Sequence, residues 1–258
     1  MDSITATFFT FASCVVGYGA GQWVSRFLPQ HHYQHSDARD VLKSATGMIA
    51  TLVALVLGLL VTSSKSTFDR TTDAMNESGA KIIQIDRLLK KFGPEALAAK
   101  NALKILTTDV ITQMDEGKLS MGERLEANDR HPEGPLEDRF TKPIQNLVPT
   151  NGEQEKIQRR ASELMTSLIE SRWSMIERAT NKLPNPFLVL LFFWLAVLFA
   201  GFGILAPRNN PTILTAFLIC GFSMAGAIYL IVEMNEPLDG TMRVSTSPLK
   251  IALKVMSH

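Results

Sequence analysis

The sequence predicts an all-α protein whose chain crosses a membrane four times. Four runs contain no Lys, Arg, Asp or Glu, namely residues 4–25, 44–64, 186–206 and 212–232. Each run has roughly the 20 residues that a helix needs to cross about 30 Å of hydrocarbon. Backbone amides in lipid must be hydrogen-bonded within their own segment, so uncharged runs of this length predict spanning helices rather than buried strands.

The polar region between the second and third runs is also predicted to be helical. Its apolar residues recur every three or four positions, which is the period of an amphipathic helix. Gly93 followed by Pro94 predicts the end of one helix and the start of the next, which should run to about Asp115. Residues 116–150 are rich in Pro and Gly and predict a loop with one short helix, and a third long helix should begin at Gly152.

These segments define the predicted domains and their sidedness. Four spans place both termini and the insert on one side of the membrane. The basic residues around the first span and those beside the insert give conflicting orientations under the positive-inside rule, and we favour a cytoplasmic insert. The predicted parts are a first transmembrane pair (1–65), a helical extramembrane domain (66–184), a second transmembrane pair (185–232) and a C-terminal tail (233–258).

Composition and the first residues exclude several protein classes. The start, Met1 to Ser3, lacks the positive charge of a signal peptide and the first apolar run is too long for one, so we expect a retained helix. A net charge of +1 argues against a nucleic-acid partner. Cys14 and Cys220 lie inside apolar runs, so a structural disulfide is not expected.

The sequence carries no motif typical of an enzyme. It lacks a P-loop, a GxSxG elbow, an HExxH pair and a CxxC pair. The histidines in HHYQHSD, with Asp37 nearby, could be arranged as a zinc site, but a hydrated loop at the membrane interface is the favoured interpretation. We therefore predict no catalytic residue, no cofactor and no bound metal. The histidines concerned are His31, His32 and His35.

The second span contains the candidate functional residues. A stripe of small or weakly polar residues recurs every three or four positions, and an apolar edge lies beside it. Close helix packing through the stripe is the favoured interpretation, and a pore that is gated by dewetting is the alternative. No span contains an ionisable side chain, which favours a passive pathway or none over a proton-coupled transporter. The stripe is Gly47, Thr51, Ala54, Gly58 and Thr62, and the edge is Ile49, Val53, Val56 and Leu60.

Several acids and turn residues follow the fourth span in LIVEMNEPLDGTMRV, residues 230–244. Pro prevents the helix from continuing, and Asp-Gly favours a turn. We favour a structural role, in which the acids turn the chain and pair with basic residues such as Arg178 or Lys182, over a cation site. The residues of this segment are Glu233, Glu236, Pro237, Asp239 and Gly240.

The whole layout resembles the bestrophin-like family of bacterial membrane proteins. The resemblance is carried by NEPLDGTMRVSTSPLKIAL after the fourth span, by LVALVLGLLV leading into TFDRTTDAMNESGAKIIQIDRLL, and by RRASELMTSLIESRW. Its similarity to bestrophins implies a homopentameric anion channel in the bacterial inner membrane, with the second spans around a central pore and an apolar neck. The implied partners are the lipid bilayer, further copies of the chain and inorganic anions.

We therefore predict an oligomeric, anion-conducting membrane channel. The alternative is a non-conducting scaffold or signalling protein whose helical insert binds a partner. The amphipathic helices predicted at 66–115 and 152–182 motivate that alternative.

Overall fold

The computed structural model describes residues 3–27, 36–116, 136–180, 185–207, 210–238 and 241–257. All regular secondary structure in these ranges is helical, which confirms the predicted all-α class. The helices are α1 (Ser3–Phe27), α2 (Ser36–Phe92), α3 (Leu97–Glu116), α4 (Leu136–Gln145), α5 (Gly152–Thr180), α6 (Asn185–Leu205), α7 (Pro211–Asn235) and α8 (Ser247–Met256), with a short 3-10 turn at Pro94–Ala96.

Four of these helices are long and apolar enough to cross a membrane, as the charge-free runs predicted. They are Ser3–Phe27, a span within Arg39–Phe92, Pro186–Leu205 and Pro211–Asn235. The second candidate lies within α2, which continues without a break from the apolar run into the insert. The helix ends at Phe92, and Gly93 adopts a φ of 124°, a left-handed conformation that favours glycine. The predicted break at Gly93-Pro94 is therefore confirmed.

The chain forms two compact units. The first unit contains residues 1–66 and 183–235, and the second contains residues 67–182 and 236–258. Residues 236–258, at the end of the chain, thus belong to the same compact unit as the insert.

Small residues bring α1 and α6 together in the first unit. Gly17 and Gly21 are buried against the backbone of Ala196 and Ala200, so closely that a Cβ at either glycine would overlap a carbonyl group. Gly17 faces Ala196, and Gly21 faces Ala200 four residues further along both helices. The two helices therefore run parallel. Small residues are what allow membrane helices to approach this closely. We refer to these two glycine–alanine pairs as the α1–α6 seam.

The fourth span runs antiparallel to the first. The hydroxyl of Ser3, at the start of α1, donates a hydrogen bond of 2.6 Å to Oε1 of Glu233, near the end of α7. Further along, a Cβ on Gly221 would lie 3.3 Å from Cβ of Cys14. These two contacts fix the register between α1 and α7 along most of their length.

The second unit has its own apolar core. The inward face of α2 contributes residues at the spacing of an amphipathic helix, and α3, α4, α5 and α8 pack their apolar faces against it. Gln154 Nε2 of α5 donates to the carbonyl of Phe92 at 2.7 Å, while Lys81 reaches Ser167 further along α5, so α2 and α5 are antiparallel. The central core residues include Ile82, Ile85, Leu89, Leu103, Ala161, Met165, Leu249 and Ala252.

A buried carboxylate on α2 depends on two lysines for its charge balance. Asp86 is 0% exposed, and neither of its oxygens makes a hydrogen bond of good geometry among the described residues. Lys90 Nζ lies 3.0 Å from Oδ2 and Lys100 Nζ lies 3.9 Å from Oδ1. Without Lys90, the buried carboxylate of Asp86 would have only the more distant Lys100 as a counter-charge. We therefore expect Lys90→Ala to lower the free energy of unfolding by about 2 kcal/mol.

Chemical denaturation of the Lys90 variant measures this loss, and a second substitution identifies its cause. Adding Asp86→Asn removes the stranded charge and should restore most of the stability. Lys91→Ala, which changes the exposed neighbouring lysine, is the control. A double variant no more stable than the Lys90 variant would contradict this account.

The C-terminal helix is attached to α3 by a carboxylate whose protonation should loosen it. Asp115 accepts a hydrogen bond of 2.9 Å from Thr246 Oγ1 and lies 2.7 Å from Lys250 Nζ, and these hydrogen bonds, the one from Lys250 first, lower its pKa. A lowered folded-state pKa stabilises the fold above the unfolded-state pKa, and this contribution disappears as the pH falls through the folded-state value. We therefore expect the hydrogen-exchange protection of α8 amides to fall below about pH 4. Asp115→Asn should remove this dependence on pH, and protection that is unchanged by pH in the native chain would contradict it.

Candidate functional site

The membrane part of α2 turns one apolar face into the first unit. Val53 is 2% exposed and belongs to the core formed with Leu191 and Leu195 of α6. Ile49 and Leu60 are partly buried against the same core, and Val56 is half-buried. The apolar edge proposed from the sequence is thus oriented toward the other helices of its own chain, as a packing surface.

The small-residue stripe faces away from that core. All five of its residues are exposed on the single chain. A Cβ placed on Gly47 or Gly58 would meet no other atom within 4 Å, in contrast to the crowded glycines of the α1–α6 seam. The stripe is therefore not needed for packing within one chain. We call its members, Gly47, Thr51, Ala54, Gly58 and Thr62, the α2 stripe.

A third face of α2 carries large apolar side chains. Successive residues of an α-helix are rotated by about 100° around its axis. Around the axis of α2, this face therefore lies on one side of Val53 and the α2 stripe lies on the other. Its side chains are exposed and suited to lipid tails or to another copy of the chain. The α2 helix thus presents three chemically different faces. The large residues are Met48, Leu52, Leu55 and Leu59.

The hydroxyl groups of the α2 stripe are already engaged as donors. Thr51 Oγ1 donates to the carbonyl of Gly47 at 3.0 Å, and Thr62 Oγ1 donates to the carbonyl of Gly58 at 2.8 Å. A hydroxyl has one proton to donate, so only oxygen lone pairs are left to face outward. The stripe can therefore be wetted, but it offers neither charge nor hydroxyl donors to coordinate an anion.

The acids after the fourth span take part in the fold where they are described. Glu233 is 3% exposed and accepts the Ser3 hydrogen bond, while the carbonyl of Pro237 accepts a hydrogen bond of 3.0 Å from the amide of Val244. Glu236 is half-buried. Within the described residues, no group of three side chains is arranged to hold a metal ion. Asp239, Gly240, Lys182, the side chains of Asp37 and Arg178, and the histidines His31, His32 and His35 lie outside what is described.

The family model for the Bestrophin-like domain matches residues 12–249, which include all four membrane helices apart from the start of α1, the insert and most of the C-terminal segment. The chain belongs to the bestrophin-like family. It is therefore a membrane protein of that family, in agreement with its four apolar helices. No curated protein and no solved structure matches the sequence.

Two cations in the insert of this bestrophin-like chain were not singled out from the sequence. Lys81 of α2 is 9% exposed and Arg172 of α5 is half-buried, and both lie on helices that contribute to the apolar core of the second unit. In the sequence, a charged residue at an apolar position of an amphipathic helix could have indicated such a cation. Periodicity alone does not distinguish such a residue from one at the edge of the apolar stripe.

Proposed function

We propose that this chain forms a homo-oligomeric channel for inorganic anions, with the α2 stripe lining a central pore. The observation that carries the proposal is the division of α2 into an inward apolar face and an outward small, hydroxyl-bearing face that has no partner in one chain. Only 11% of the most apolar part of α2 is buried, against 28% for α1, 39% for α6 and 28% for α7. Of the four helices, α2 therefore has the most surface left for neighbouring copies or for water.

The chemistry of the three faces fits a pore built from copies of α2. Glycines and threonines leave room for hydrated ions, whereas leucines suit contact with lipid or with a neighbouring helix. The four charge-free runs within these helices contain no Asp, Glu, Lys or Arg that would couple transport to protons. Conduction through such a pore would be passive, and the chain would have no catalytic role.

Membership in the bestrophin-like family supports the finer features. We propose a pentamer in the bacterial inner membrane, with the insert and both termini on the cytoplasmic side. Rotational symmetry about an axis surrounded by the second spans is the geometry that this requires.

Imaging of the detergent-solubilised particle and recording in planar bilayers test the proposal together. We expect a five-fold ring and a current whose reversal potential follows the chloride gradient. A ring that is intact but silent would exclude conduction. A monomer, or a dimer without a central axis, would favour the scaffold alternative, in which the insert binds a partner.

A further inference from the structure

Two sides of the membrane part of α2 border the α2 stripe, and they differ in side-chain size. On one side, Leu55 lies about 60° from the centre of the stripe around the helix axis, followed by Met48 and Leu59. On the other side, Ala54 lies about 40° and Ala50 about 80° from that centre. We call Met48, Leu55 and Leu59 the leucine flank, and we call Ala50 and Ala54 the alanine flank.

Neither flank is fully covered within one chain. The three residues of the leucine flank are between 60% and 72% exposed. Ala54 is exposed and Ala50 is half-buried, and Val61, further along the same side, is 44% exposed. Both flanks lie away from Val53, the residue of α2 that packs into the core of the first unit. Each flank is therefore open to lipid tails or to a further helix.

The proposed pore determines which of these two covers the flanks, and the inference rests on that proposed function. In a ring of five helices, the two neighbours of each helix lie about 54° to either side of the direction of the central axis. If the α2 stripe faces the axis, one neighbour meets the leucine flank and the other meets the alanine flank. Both flanks are then covered by further copies of α2.

The two flanks have the shapes that such a contact needs. Leucine side chains project from a helix, whereas alanines leave a shallow groove, and small residues are what allow membrane helices to approach closely. The α1–α6 seam uses small residues in the same way within one chain. A surface that fits a different surface of an identical chain makes a head-to-tail contact, and a head-to-tail contact can close into a ring.

We propose that the leucine flank of each copy packs against the alanine flank of the next copy, and that this contact builds the ring. Copies related by rotation about one axis lie at the same height. Leu55 of one copy therefore lies about 1.5 Å in height from Ala54 of the next copy. Leu52, about 120° from the centre of the stripe, is left facing lipid.

Disulfide cross-linking in isolated membranes tests this contact. Two differently tagged full-length chains are expressed together, one with Leu55→Cys and the other with Ala54→Cys. Both carry Cys220→Ser, which removes the exposed native thiol, whereas Cys14 is buried and is kept. Oxidation should join the two kinds of chain, because the Cβ atoms of a disulfide lie about 4 Å apart. Neither variant expressed alone should form a dimer, because the contact joins two different flanks.

Leu52→Cys in place of Leu55→Cys is the matched control. Leu52 is also an exposed leucine of α2, at 50% exposure, and it lies at a similar height to Ala54. Its cross-linking to Ala54→Cys should be lower by more than about tenfold, because its Cβ points away from the next copy. Equal yields from Leu52 and Leu55, which are expected if lipid covers the leucine flank, would overturn the contact. Dimers formed by either variant alone would also overturn it.

A chain that carries both Ala54→Cys and Leu55→Cys separates this inference from the proposed function. Oxidation should give a ladder of products that ends at the pentamer. Such a ladder in a protein that carries no current would overturn the channel alone. Current without the cross-link between these two positions would overturn this inference alone.

Discussion

Replacing Gly58 with leucine should reduce the anion current roughly tenfold or more while leaving the stability of the chain nearly unchanged. Gly58 is exposed on the single chain, and a Cβ there meets no neighbouring atom within 4 Å, so we expect the new side chain to extend outward from α2. In the proposed assembly each copy would add one isobutyl group to the same level of the pore. A ring of such groups narrows and dries an aqueous path. Single-channel recording measures the conductance, and thermal unfolding should change by no more than about 0.5 kcal/mol.

The fourth span provides a control for added bulk in the membrane. A Cβ at Gly226 on α7 is equally unobstructed, but it lies on a different helix from the α2 stripe. Gly226→Leu should therefore conduct like the native protein. Native conductance in Gly58→Leu would show that the α2 stripe does not line the pore, whatever the assembly.

The second large effect should come from the α1–α6 seam. We expect Gly21→Leu to lower the stability of the first unit by more than about 3 kcal/mol, because even its Cβ would overlap the backbone of Ala200. Backbone atoms cannot turn aside as a flexible side chain can, so the two helices would have to separate along the seam. Thermal unfolding in detergent, followed by tryptophan fluorescence, measures the loss.

A glycine two positions earlier on the same helix serves as the reference. Gly19 has no atom within 4 Å of an added Cβ, so Gly19→Leu should unfold close to the native temperature. The two variants add the same leucine to the same helix and are compared in the same detergent. Similar melting temperatures for the two would contradict the close approach of α1 and α6.

The sequence predicted the membrane helices and the helical class well because absence of charge over a run of about 20 residues has few structural explanations. It could not tell which side of α2 faces its own chain. Val53 and Leu55 are both apolar, and in lipid the hydrophobic effect does not separate an inward face from an outward one. Only the partners on α6 make Val53 a core residue.

Contacts between distant parts of the chain were also beyond sequence reasoning. In the sequence, Lys81 does not differ from other lysines of an amphipathic helix. In the structure, Ser167 and Ser171 of α5 lie beside its ammonium group. Glu233 marked the water boundary of the last span, and its bond to Ser3 joins residues 230 positions apart. Such pairings depend on helix register, which the period of apolar residues leaves undetermined.

The α1–α6 seam also limits how the first unit can change shape. Its two contacts are four residues apart on each helix. If α6 slid along α1 by less than one turn, the carbonyl of Ala196 or Ala200 would meet a side chain of α1 instead of a glycine. If α6 slid along α1 by four residues, about 6 Å, a glycine would again face an alanine. Only one of the two glycine–alanine pairs would then be kept. Motions that open and close the proposed conducting path should therefore carry α1 and α6 as one rigid body. Cross-linking these two helices should then leave gating intact.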